Sequence, residues 1–140
     1  MEDYFCKTTS LHHKGVMTML QAGVQKAESI GQPQCIVIVD ASGEVLGEIR
    51  MTGSKFLSRK SALSKALTAS SIRAASSSVP DSVRPAISAA THGDMTGLAG
   101  GLPIIVEGEC IGAIGVGSGA PEQDVEVAMA ALESIGCAPK

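Results

Sequence analysis

An unbroken apolar, largely β-branched run, Cys35-Ile36-Val37-Ile38-Val39, leads straight into turn chemistry at Asp40-Ala41-Ser42-Gly43. Nothing else constrains the fold of this chain so tightly. A strand without polar alternation must be covered on both faces, or covered on one and pressed into a subunit interface on the other. The turn leaves no room for a crossover, so the returning segment, Val45 to Met51, pairs antiparallel. The arrangement recurs later, where Leu102 to Val106 and Cys110 to Val116 flank Glu107-Gly108-Glu109. Two such hairpins argue against a doubly wound nucleotide-binding sheet, in which helices alternate one by one with parallel strands.

Helical periods fill the rest. Val16, Met19, Leu20, Gly23, Ala27 and Ile30 mark one face of a helix opening near Ser10 and stopping at Gly31, before Pro33. A second helix is expected from Ser58 to Ile72, with Leu63, Ala66, Leu67 and Ser70 on one face. Ser76 to Pro80 breaks it, a short helix follows over Asp81 to Ala90, and Thr91 to Ala99 reads as a loop. The last helix carries Pro121 in its opening turn and Gly136 as its stop, with Val125, Ala128, Met129, Leu132 and Ile135 expected to be buried. The order predicts an α+β fold over residues 1–140 as one domain, with helices packed on a mainly antiparallel sheet.

Composition narrows the partners. With 11 basic against 14 acidic residues, a net charge of −3 and 2% aromatics, the chain has neither a basic stripe nor stacking platforms for nucleic acid. Apolar runs fall well short of a membrane span, and no export segment is visible at the start, which predicts a cytoplasmic protein without membrane contact. Cys6, Cys35, Cys110 and Cys137 have no metal-like spacing and read as buried free thiols.

Chemistry has several candidate seats. The paired glycines Gly100-Gly101 before Pro103 permit close approach of backbone to a ligand, or simply a tight strand entry. Gly112 to Gly119 contains only a fragment of a dinucleotide fingerprint, and its plainer use is close packing of a helix over a glycine-faced strand. Arg50 and Lys65 are the cations placed to hold a carboxylate or phosphate, against solvation at the surface. His12, His13 and His92 are candidate haem-iron ligands, although adjacent histidines on a helix diverge by roughly 100° and make no chelating pair. Asp40, His92 and Asp94 are the candidates for proton transfer.

Gly100-Gly101-Leu102-Pro103-Ile104, followed by Ile111-Gly112-Ala113-Ile114-Gly115-Val116, resembles the signature of the GlcG/HbpS family, which includes the C-terminal domain of PduO-type cobalamin adenosyltransferases. Val37-Ile38-Val39-Asp40, Arg50-Met51-Thr52-Gly53-Ser54 and Lys65-Ala66-Leu67-Thr68-Ala69 are similar to further family segments. Thr52 stands where the family carries an acid, and Gly117 where it carries serine. The resemblance implies a profilin-like α-β-α arrangement, assembly into a homo-oligomer such as an octamer, and haem as cofactor in some members. The expected function is therefore a cytoplasmic, oligomeric small-ligand-binding protein that takes haem, with Arg50, Lys65, Gly100 and Gly101 lining the site. The alternative is an enzyme of a catabolic pathway acting on a small carbonyl or carboxylic acid.

Overall fold

In the computed structural model, which describes residues 3–139, four antiparallel strands lie in the order β2-β1-β4-β3. They are β1 (Cys35–Asp40), β2 (Val45–Arg50), β3 (Gly101–Val106) and β4 (Glu109–Gly117). Helices α1 (His13–Ser29), α2 (Ser58–Ile72), α3 (Arg84–Ala90) and α4 (Pro121–Ser134) complete the α+β fold, with short 3₁₀ turns at Ser76–Ser78 and Asp81–Val83.

Of the two arrangements open to the apolar run, cover on both faces within the chain is the one observed. Ile36 and Ile38 pack with Val16, Met19 and Leu132 in the layer of α1 and α4. Cys35, Val37 and Val39 pack with Ala62, Ala66 and Ala69 of α2 on the other face. The result is an α-β-α stack. Period-2 alternation along β1 feeds two cores, so no residue of Cys35 to Val39 can be polar without exposing a cost.

Helix α1 starts three residues later than expected. His12, not Ser10, is its N-cap, with Nδ1 accepting from the Lys14 N–H at 3.1 Å. The buried face of α2 also differs from expectation. Ala62, Lys65, Ala66, Thr68, Ala69 and Ser70 are buried, while Leu63 and Leu67 are only half-buried. The reason is the floor beneath it. A Cβ on Gly115 would overlap the Ala62 carbonyl, and one on Gly101 would overlap the Lys65 carbonyl. Helix and sheet thus approach at backbone distance, and only small side chains fit between them.

On α4 the buried stripe is Asp124, Val127, Ala128, Ala131 and Leu132. It is turned from the expected Val125, Met129 and Ile135 because Asp124 is held inward by polar partners. Of the cysteines, all are free, but only Cys35 is buried; Cys6 is exposed and Cys110 and Cys137 are intermediate. No helix among the described residues is long and apolar enough to cross a membrane.

Candidate functional site

Lys65, expected to face a ligand, is committed to the protein itself. Its Nζ lies 2.9 Å from Asp124 Oδ2 and donates to the Val116 carbonyl at 2.8 Å, with both side chains almost fully buried. The Gly119 N–H donates to Asp124 Oδ1 at 2.9 Å. Burial pushes the Asp124 carboxyl above its ordinary range, opposed by Lys65 and the Gly119 N–H. Gln34 is fully buried beside this pair, with neither end of its amide hydrogen-bonded.

Gly100 and Gly101 serve the same construction. At Gly100 (φ 123°) a Cβ would stand 3.0 Å from Asp124 Cβ and 3.1 Å from Lys65 Cδ. The Gly101 N–H is spent on Ser76 Oγ at 2.9 Å. Of the two readings open for the glycine pair, the tight strand entry accounts for its geometry. Arg50 is exposed at the end of β2, beside a separate shallow hollow lined by Val24, Pro33, Met51 and Thr52. The structure therefore brings Lys65 together with Gly100 and Gly101 as an internal contact, and leaves Arg50 exposed at a different hollow.

A larger opening lies elsewhere, at the tips of both hairpins on the α2 face. Its volume is about 760 Å³, within the range typical of small-ligand sites. One wall is Ala41 to Gly43 from the first hairpin, another is Gly108 to Cys110 from the second. The C-terminal turn of α2 supplies Leu67, Thr68, Ser70, Ser71 and Arg73, and the loop after α3 closes it with Thr91, Asp94 and Met95. Thr68 Oγ1 accepts from the Thr96 N–H at 2.9 Å, and Ser64 Oγ donates to the Gly93 carbonyl at 2.7 Å, tying that loop to α2.

Arg73 is the cation of this lining, and it sits in left-handed backbone at φ 58° as the C-cap of α2. His92, at φ 53°, falls between the lining residues Thr91 and Asp94. Non-glycine residues in this region store strain, and such strain gathers at working sites. By contrast Glu107 and Gly108 (φ 51° and 79°) have the paired positive φ that a two-residue hairpin turn demands. Asp40 adjoins the cavity, its carbonyl accepting from Ser70 Oγ at 2.9 Å. Its carboxylate caps the first turn by accepting from the Ser42 and Glu44 N–H groups. Slight burial raises the carboxyl, but these hydrogen bonds outweigh it and hold Asp40 below its ordinary value.

The other histidines lie on the opposite face, at the start of α1. Their rings stand 4.2 Å apart, His12 with Nδ1 occupied as the cap and His13 exposed. Among the described residues no group of three or more His, Cys, Asp or Glu is arranged to hold a metal ion.

Sequence reasoning missed Asp124 and Arg73. Asp124 is in phase with Val127, Ala128 and Ala131, so its burial was readable as a period. Arg73 gave a weaker signal: a helix ending with no glycine at its left-handed position.

A family model described as haem-degrading protein HbpS-like matches residues 11–133. The chain belongs to the HbpS-like family. This HbpS-like chain is 35% identical over 120 residues to an uncharacterized 15.0 kDa protein of Citrobacter freundii encoded between dhaT and dhaS, covering 82% of this chain and 84% of that one. Among solved structures it is similar to Klebsiella pneumoniae ORFY, with a TM-score of 0.93 at 25% identity over 99% of both chains. It is also similar to a PduOC structure solved as a haem complex, with a TM-score of 0.86 at 27% identity over 94% of this chain and all of that one.

Proposed function

We propose that this HbpS-like chain is a small-ligand-binding protein that takes haem into the hairpin-tip cavity and works as a cytoplasmic homo-oligomer. The observation that carries the reading is the fold shared with a PduOC chain crystallised with haem. The residues of the cavity suit the group. Leu67 and Met95 offer apolar and thioether surface, Arg73 a guanidinium for a propionate, and the serine and threonine hydroxyls a polar rim. Haem would supply iron redox or ligand-binding chemistry. His92 is the imidazole beside the cavity, and its exposure leaves the ring free to reach iron. In this reading Arg73 takes the carboxylate-holding role that the sequence suggested for Arg50 or Lys65.

Hemin titration of the purified protein tests this. A saturable, shifted Soret band that is lost in His92→Ala and weakened in Arg73→Gln supports the cavity. A band lost instead in His13→Ala moves the site to the start of α1 and overturns the cavity reading. A spectrum identical to free hemin removes haem altogether.

A second reading draws on the same cavity. Asp94 lines it, His92 lies between the lining residues Thr91 and Asp94 in the chain, and the main chain of Asp40 accepts from the lining residue Ser70. An enzyme acting on a small carbonyl or carboxylic acid would bind the carboxylate at Arg73 and move a proton through Asp94 or His92. Turnover of such a substrate that disappears in Asp94→Asn, with the fold intact by circular dichroism, supports this alternative.

A further inference from the structure

The sheet ends in two unlike edges. On β3 the outward position is held by Pro103, which has no N–H to offer an incoming strand, a recognised way of blunting an edge. On β2, the Met51 N–H donates to the Gln34 carbonyl, so alternation turns the main-chain groups of Ile49 and Gly47 toward β1 as well. Those of Glu48 and Arg50 face outward. All of Glu48, Ile49 and Arg50 are exposed, Ile49 by 38%. The strand is regular from Gly47 to Arg50, because its bulge falls at Leu46, where the register to β1 slips.

We propose that β2 is the contact between two copies of this chain, pairing antiparallel with its own counterpart about a two-fold axis beside Ile49. Antiparallel self-pairing about any residue sets the residue before it opposite the residue after it. Centred on Ile49, Glu48 faces the partner's Arg50 and Arg50 faces the partner's Glu48, two opposite-charge pairs on one face with the outward N–H and C=O groups exchanged. Centring on Glu48 instead places two carboxylates in direct opposition, and centring on Gly47 carries the bulge at Leu46 into the ladder. The exposed Ile49 side chain is then covered by the partner's Ile49. The contact gives a surface to the self-association proposed above and is independent of haem.

Charge swaps with sedimentation or light scattering test it. The wild type is expected as an even-numbered assembly, and Glu48→Arg or Arg50→Glu alone lowers its mass twofold. Mixing the two single variants restores the larger mass, because each then presents the other's complement, and the double variant restores it alone. Glu48→Pro, which removes an outward N–H together with the carboxylate while sparing the hydrogen bonds to β1, also halves the mass, and circular dichroism checks that the fold persists. A monomeric wild type overturns the self-association reading itself. An oligomer whose mass ignores the swaps leaves self-association standing and overturns this interface.

Discussion

Lys65 on α2 and Asp124 on α4 meet at 2.9 Å although their helices lie on opposite faces of the sheet. The lysine stem reaches Asp124 past Gly100, where a Cβ would crowd both partners. The two layers are thus joined by an ion pair across the start of β3. With the Val116 carbonyl and Gly119 N–H as further partners, the pair is well hydrogen-bonded, the condition under which a buried salt bridge is tolerated.

Removing one member leaves the other charged and dry. Lys65→Met or Asp124→Asn is expected to cost about 3–5 kcal/mol. The double variant Lys65→Met/Asp124→Leu should lose far less than the sum, because no unpaired charge remains. Urea denaturation of the three variants measures this, and additive losses would show that the two groups are not coupled.

The glycine floor under α2 has a steric prediction. Gly115→Ala drives a methyl into the Ala62 carbonyl, which is backbone and cannot turn aside. A loss of about 1–3 kcal/mol or more is expected. Gly93→Ala meets nothing within 4 Å but requires φ +84°, so its loss should be limited to about 1–2 kcal/mol. Thermal melts of the pair separate contact from backbone strain.

At Arg73 stability and binding should move in opposite directions. Arg73→Gly relieves a left-handed backbone and should hold or raise stability by up to about 1 kcal/mol. The same change removes the cavity's guanidinium and is expected to weaken hemin binding. Paired melting and titration curves check both signs, and unchanged affinity would remove Arg73 from the site.

Asp40 carries a pH dependence. Its carboxyl is held below the ordinary 3.8 in the folded chain, so the folded state favours the ionised form. The stability it contributes is present above pH 3.8 and disappears as pH falls through the lower folded value. Wild type should therefore exceed Asp40→Asn in denaturation stability at pH 6, with the gap closing toward pH 3. A gap that widens with acid would reverse the assignment.

Much of the fold was legible because its signals are local. The run Cys35 to Val39 and the two tight turns dictate antiparallel pairing, and α2 falls at Ser58–Ile72 as its period predicts. Family segments such as Gly100 to Ile104 carried the HbpS-like assignment for the same reason. Side-chain destinations were less legible. Lys65 and Arg50 look alike in sequence, and only packing distinguishes the cation sealed against Asp124 from the one left exposed at the sheet edge. The cavity was hidden too, since its walls come from two hairpins, the end of α2 and the loop after α3, segments up to about seventy residues apart.

The sequence alone determined which segments are helix or strand and how strands must pair across tight turns. The tertiary structure decided which charged groups are spent internally and which remain for a ligand or a second copy. The physical reason is range: periodicity and turn geometry act over a few neighbouring residues, whereas the partner of a buried charge is chosen by whichever distant element folds against it.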